Sequence, residues 1–288
     1  MKVVLFCGGL GMRLREHSES VPKSMVNIGY RPILWHIMKY YAHHGHKEFI
    51  LCLGYKADSI KNYFVHYDES ISNDFILTNG GRKLRLLSSD IDDWKITFVD
   101  TGLHSNIGER LRQVERYIED DEVFLANYTD GLTDLYLPDM IDHFTASQKT
   151  ASFVSGKPTH SFHVVKLDES GLVTAIQHLA HSDILINGGY FIFKRRIFDY
   201  VRSGEELVEA PFQKLIAEKQ LISYQYDGFW APMDTFKDKQ LLDELYGRGE
   251  APWEVWKSEA ARAGAHPDSA EAAAKRLTRE AATGPVQP

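Results

Sequence analysis

Four short apolar runs stand out in the first half of the chain: Val3-Val4-Leu5-Phe6-Cys7, Phe49-Ile50-Leu51-Cys52-Leu53, Ile96-Thr97-Phe98-Val99 and Val123-Phe124-Leu125-Ala126. They do not alternate with charged positions, so each predicts a strand buried on both faces, as in a parallel sheet covered by helices. Between them the spacing becomes helical. Ile33, Leu34, Ile37, Met38 and Tyr41 share one helical face behind Pro32, which suits a first helical position, and Gly45 closes the pattern. Residues 56–67, with Ile60, Phe64 and Tyr67 inward, and 107–118, with Leu111, Val114 and Ile118, predict two more helices. Buried strands alternating with helices predict a three-layer α/β fold around a mixed, mainly parallel central sheet.

After about residue 150 the rhythm shifts. Residues 151–155 and 162–167 read as strands, Asp168-Glu169-Ser170-Gly171 as a turn, and 172–177 as the returning hairpin strand. Further strands are predicted over 190–193, 221–226 and 228–230, and helices over 195–202 and 210–219. No linker separates the halves, so residues 1–250 are expected to form one catalytic domain, with 70–95 a polar insertion carrying a hairpin around Asn79-Gly80-Gly81. Residues 251–288 are expected to form an Ala-rich tail. Ten of the last thirty residues are Ala, and of these thirty only Leu277 and Val286 are large and apolar, too little surface to offset ordering entropy. Such a tail is either disordered or a docking element.

Composition narrows the class. The 288 residues carry 33 Lys and Arg against 40 Asp and Glu, a balance of −7 that argues against a nucleic-acid binder. Cys7 and Cys52 both sit in apolar runs, which excludes a disulfide scaffold and suits a reducing cytoplasm. No stretch of 18 apolar residues is present to span a membrane, and the first apolar run is too short for a signal peptide, so a soluble cytoplasmic protein is expected.

Three stretches carry chemistry. Gly8-Gly9-Leu10-Gly11-Met12-Arg13-Leu14 follows the first strand, where glycines let backbone N–H groups approach a phosphate chain closely. No Gly-Lys-Ser/Thr follows and position 14 is not Gly, so it is neither a P-loop nor a dinucleotide fingerprint. Arg13 within the loop and Lys23 after Pro22 supply two cations for a polyphosphate. The second stretch is Asn127-Tyr128-Thr129-Asp130-Gly131, which puts a carboxylate at the end of the fourth strand, where open α/β sheets bind ligands. The third is Pro232-Met233-Asp234-Thr235, in which Asp234 is either a helix N-cap or, with Asp130, one of two oxygen ligands for Mg²⁺.

Together these stretches resemble the sugar-1-phosphate nucleotidyltransferases, most nearly the glucose-1-phosphate cytidylyltransferase branch. The resemblance extends over roughly residues 1–245 and includes Pro32 to Met38, Val99 to Gly102, Ile186-Asn187-Gly188-Gly189 and Gly228 to Thr235. It implies a Rossmann-like nucleotidyltransferase fold, an oligomeric assembly, and transfer from CTP to a sugar 1-phosphate, giving a CDP-sugar and pyrophosphate. By the same resemblance Gly8, Gly9, Gly11, Arg13, Lys23, Arg110 and Tyr128 bind the nucleotide, with Arg13 and Lys23 at the reacting phosphates. Asn187 contacts the acceptor, and Asp130 and Asp234 hold Mg²⁺. The reaction needs no protein nucleophile, because the acceptor phosphate is already anionic; it needs charge neutralisation and in-line alignment.

The chain departs from the pattern at Met12, Ser24 and Thr129, where the family has Thr, Pro and Gly. It departs most at Gln177-His178-Leu179-Ala180-His181, where the family's Glu-Lys pair holds the sugar and its phosphate. Histidines are candidate replacements: a hairpin closing at 168–171 would bring His160 across from His178, and His178 is the expected acceptor contact. A different phosphorylated acceptor, another nucleoside triphosphate, or a catalytically silent nucleotide-binding homologue are the alternatives.

Overall fold

The structure, a computed structural model, describes residues 1–8, 21–118, 120–158 and 162–257. Gly9, Gly11, Arg13, His160 and the segment 258–288 therefore lie outside the described residues. The central sheet contains β1 (Val3–Phe6), β2 (Glu48–Leu53), β3 (Lys95–Asp100), β4 (Val123–Asn127), β5 (Ala151–Gly156), β6 (Ile186–Lys194) and β7 (Leu221–Gln225). Their order across the sheet is β7-β5-β6-β4-β1-β2-β3. β6 runs antiparallel to both β4 and β5, and every other pairing is parallel. The expected mixed, mainly parallel sheet is present.

The uninterrupted apolar runs have a direct cause. Val3 and Leu5 of β1 pack into one core with α1 (Ile33–His43), Ile60 of α2 (Ala57–Val65), and α4 (Leu137–Ser147). Val4 and Phe6 face the opposite core with α3 (Ile107–Val114) and α5 (Ala210–Ala217). Successive strand residues point to opposite faces, so a strand feeding two cores must be apolar throughout. A last helix, α6 (Phe236–Gly247), follows the strand-like Trp230–Pro232 segment.

Four expectations are corrected. Pro32 closes a two-residue strand and precedes the helix, which begins at Ile33. Helix α4 was not expected, although Pro138 in its first turn and inward Leu137, Met140 and Phe144 give it a helical signature. Residues 195–202 hold only a five-residue 3₁₀ turn, Arg195–Asp199. The tail does not begin at 251, because Ala251 and Trp253 are buried in the first core and Glu254 is also buried. Trp253 donates its indole N–H to His36 Nδ1 (3.3 Å), tying this segment to α1.

The insertion carries the expected hairpin, Phe75–Thr78 with Lys83–Leu86, and is pinned to the body through Asp90. That carboxylate accepts hydrogen bonds from Lys39 Nζ (3.0 Å), Tyr67 Oη (3.1 Å), Ser72 Oγ (2.5 Å) and Asn73 Nδ2 (2.9 Å). Beside it opens a cavity of about 1170 Å³ that includes Trp35, Asp90 and Trp256. Its cations are engaged with its acids, as in Lys39–Asp90, Lys47–Asp93 and Lys257–Glu254, and among the described residues it shares none of its lining with the site below.

Candidate active site

β1, β2, β3 and β4 are parallel, so their carboxyl ends open at one edge of the sheet. A cavity of about 300 Å³ lies there, lined among others by Lys23, Ile107, Tyr128, Thr129, Asp130 and Glu206. Lys23 begins a short 3₁₀ turn, Lys23–Met25, and lies between two carboxylates: its Nζ is 2.9 Å from Asp130 Oδ2 and 2.6 Å from Asp234 Oδ1. Residues more than 100 positions apart thus meet at one atom.

The backbone explains the meeting. After β4 the chain turns at Asp130 and continues as Gly131–Thr133, which pairs antiparallel with Trp230–Pro232. Gly131 lies opposite Pro232, and Met233 N–H donates to Asp130 O (2.7 Å), so the two aspartates are neighbours through a two-stranded ribbon. Asp234 is not the helix cap. Thr235 caps α6 in a capping box with Asp238, which leaves the Asp234 carboxylate to face Lys23. Thr129, where the family has Gly, holds φ +63°. A β-branched residue is strained in that region. Two hydrogen bonds oppose the strain: Thr129 Oγ1 donates to Phe6 O (2.9 Å), and Thr129 N–H donates to Asn127 Oδ1 (2.7 Å).

Charge states follow from this packing. Burial alone would lower the Lys23 pKa, but Asp130 and Asp234 together raise it above the ordinary lysine value, so the ammonium stays charged. Burial lifts the Asp130 carboxyl above its ordinary value, against the downward pull of Lys23. Burial also raises the Tyr128 phenol well above its usual value, reinforced by Glu206 and Asp130, so it remains a neutral donor. The Cys7 thiol in the same cavity is pushed up to about 12 by burial and is not a nucleophile at neutral pH.

Arg110 lies on α3 with its guanidinium buried at the end of β1. Nη1 donates to Leu53 O (3.0 Å) and Thr101 Oγ1 (2.7 Å), and Nη2 donates to Gly8 O (3.1 Å). These acceptors are all neutral, so among the described residues the positive charge is held beside Gly8 without a bonded carboxylate. A Cβ on Gly8 would fall 2.1 Å from Arg110 Nη1, so any larger residue there would displace the guanidinium.

Asn187, the second residue of β6, accepts at its Oδ1 from Gly189 N–H (2.9 Å). The turn is tied to the end of β4, where Tyr128 N–H donates to Gly189 O (3.1 Å). The hairpin His163–Leu167 with Val173–His178 exists, but its register places His163, rather than His160, opposite His178. The pair nearest the turn is Leu167 with Val173, and a one-residue shift between it and Lys166–Ala175 adds to that offset, so the pairing differs from the one expected. The His163 and His178 rings lie 5.4 Å apart, and His181 stacks 5.6 Å from His178. Among the described residues, Lys23, Tyr128 and Asp130 share the cavity lining and Asp234 meets them through Lys23. Asn187 joins them through its turn, where Gly189 donates to Asn187 Oδ1 and accepts from Tyr128 N–H, whereas His178 belongs to the separate hairpin.

Glu206 was not singled out by sequence. It lines the cavity and accepts from the backbone N–H groups of Ile107 (3.2 Å) and Leu207 (3.1 Å). Only the long-range contact of its loop with the start of α3 reveals it, and no local motif marks it.

A sequence profile of the nucleotidyl transferase family matches residues 2–243. The chain belongs to this family. The nucleotidyltransferase is 39% identical over 258 residues to a glucose-1-phosphate cytidylyltransferase of Salmonella typhi, covering 89% of this chain and the whole of that relative. Among solved structures it is similar to a UTP-bound UGPase from Acinetobacter baumannii (TM-score 0.62, 18% identity, 85% of this chain and 93% of that one). It is also similar to HddC from Yersinia pseudotuberculosis (TM-score 0.60, 20% identity, 85% and 99%). At these identities the two structures show that the nucleotidyltransferase has the Rossmann-like fold of its structural neighbours.

Proposed function

We propose that the enzyme transfers a cytidylyl group from CTP to a sugar 1-phosphate, most simply glucose 1-phosphate, releasing pyrophosphate and a CDP-sugar. The observation that carries the reading is the convergence of Lys23, Asp130 and Asp234, in a chain matched over 89% of its length by a glucose-1-phosphate cytidylyltransferase. An acceptor phosphate oxygen attacks the α-phosphorus of the nucleotide, and the bond from that phosphorus to the bridging oxygen of pyrophosphate breaks. Two anions must meet, and at ~4 Å and an effective dielectric near 20 each unit pair repels by about 4 kcal/mol.

Asp130 and Asp234 are the residues that would hold Mg²⁺. They fit it: both aim a carboxylate oxygen at one cationic atom, Lys23 Nζ, and oxygen is the donor that hard divalent ions prefer. No cluster of three or more His, Cys, Asp or Glu accompanies them among the described residues. Mg²⁺ commonly completes its shell with water and phosphate oxygens. When bound, the ion supplies charge neutralisation at the transferring phosphate. Lys23 and Arg13 then face the phosphate chain, Gly8, Gly9 and Gly11 lend backbone N–H groups, and buried Arg110 and the Tyr128 ring bound the nucleoside side. Asn187 orients the acceptor, and His178 stands where the family's phosphate-binding Lys would be. Exposed Leu77, Leu84 and Leu87 on and beside the insertion hairpin support assembly into a homo-oligomer.

Pyrophosphate release from CTP with a panel of sugar 1-phosphates tests this. Turnover with glucose 1-phosphate that stops on chelation of magnesium is the expected result; none with any sugar phosphate would overturn it. The second reading, a different acceptor, is favoured by Gln177 and His178 in place of Glu and Lys. It predicts that another member of the panel exceeds glucose 1-phosphate in kcat/KM. His178→Ala is expected to raise the acceptor KM about tenfold by removing a charge-assisted contact, with the CTP KM unchanged.

A further inference from the structure

The acceptor turn, the ribbon behind Asp130 and the strand leading to Asp234 meet at one indole. Trp230 lies opposite Thr133 in the ribbon and four residues before Asp234. Its Nε1–H donates to Gly188 O (2.9 Å), the residue next to Asn187. The contact needs glycine on both sides: a Cβ at Gly131 would lie 3.2 Å from Nε1, and a Cβ at Gly188 would lie 3.3 Å from it. The ring is half-buried against the first core, so its orientation is fixed by packing while one edge remains open.

Two other bonds hold the Asn187–Gly189 turn, Gly189 N–H to Asn187 Oδ1 and Tyr128 N–H to Gly189 O, and Asn187 pairs with Ser155 of β5. These come from the turn itself, from the end of β4 and from β5. Gly189 holds φ +76°, and a Cβ there would strike Tyr128 Cδ2 at 2.9 Å, so this side of the turn has no slack. The indole is the link that ties the turn to the segment carrying Asp234.

We propose that Trp230 is a positioning residue for the acceptor: its indole N–H fixes the Gly188 peptide, and thereby Asn187, relative to the Asp130–Asp234 pair. The inference rests on the acceptor role of Asn187 put forward above. Neutral hydrogen bonds of this kind contribute modestly to folding, but a misplaced substrate-orienting group is costly in rate. Loss of the bond therefore falls on acceptor alignment and spares CTP, since of its proposed contacts Gly8, Lys23 and Arg110 lie off the turn and Tyr128 is carried by the end of β4.

The test replaces Trp230 with benzothienylalanine, which keeps the ring shape and lacks the donor, alongside Trp230→Phe and Gly188→Ala. The last places a Cβ 3.2 Å from Val154 O as well as against the indole. Each variant is expected to lower kcat/KM for the acceptor about tenfold while the CTP KM stays within about twofold. An acceptor kcat/KM within about twofold of wild type in the benzothienylalanine variant, or equal rises in both KM values, would overturn it. The Asn187 side-chain amide is followed in parallel by ¹⁵N NMR without substrates. Its cross-peaks are expected to shift in that variant, and an unmoved amide overturns the inference whether or not any sugar phosphate proves to be a substrate.

Discussion

Exchanging Asp234 for asparagine is expected to slow pyrophosphate release about 10²–10³-fold at saturating CTP and magnesium, the usual cost of one preorganised electrostatic contact. The same holds for Asp130→Asn, and the two are not additive, because both carboxylates address one cation. Lys23→Met separates the roles. Without the ammonium, Asp130 and Asp234 face each other with no neutralising partner, so the ligand-free protein melts at a lower temperature. Added magnesium is expected to recover more stability in this variant than in wild type, since it binds only the folded pair. Activity of Lys23→Met stays low even so, because the phosphates have lost a contact. Paired measurement of melting temperature and turnover across a magnesium titration checks both statements; wild-type rates in either aspartate variant would refute the proposed site.

Trp253→Ala is expected to cost about 3–5 kcal/mol in a denaturant titration, as for large aromatic truncations in a core. Its ring is fully buried, and its N–H occupies the Nδ1 acceptor of buried His36. Since Nδ1 accepts, Nε2 must carry the proton that is donated to Ile28 O (3.0 Å), and His36 is neutral. Burial, aided by nearby Lys257 and Arg31 against the opposing backbone bond, lowers its pKa to about 4. Its ordinary value is about 6.5. Between those two pH values the unfolded chain binds a proton that the native chain refuses. The stabilisation is therefore complete above about pH 6.5 and is lost as pH falls toward 4, an expected decline of about 3 kcal/mol from this residue. His44 and His46 are lowered in the same direction, mainly by burial. A His36→Gln variant, measured at pH 7 and pH 4.5, is expected to show a shallower fall; an identical pH dependence would count against His36 as the source.

The sheet was legible because β1, β2 and β4 each serve two cores and so are apolar throughout, a pattern with few other causes. The Lys23, Asp130 and Asp234 stretches were legible as motifs, but their meeting at one nitrogen was not, because it depends on a ribbon between residues 131–133 and 230–232. The hairpin at 168–171 was legible as a turn, whereas its register was not, since both the length of the connection from Leu167 to Val173 and a local irregularity beside it set the pairs. The segment 251–257 looked like the start of a tail because two tryptophans and a valine show no period over so few residues. Only the packing of Trp253 against α1 shows that it belongs to the body. Glu206 and the indole bond of Trp230 are contacts between distant loops, for which a linear pattern carries no signal.

The place of β1 also bears on how the polypeptide is made. Synthesised before both of its neighbours, Val3 is destined to lie between Phe49 and Leu125, so one side of this strand stays unzipped until the nascent chain has extended well past β4. Such non-local pairing is slow and leaves apolar edges open to wrong partners. Chaperone demand during synthesis should accordingly peak before β4 is released and drop once it docks.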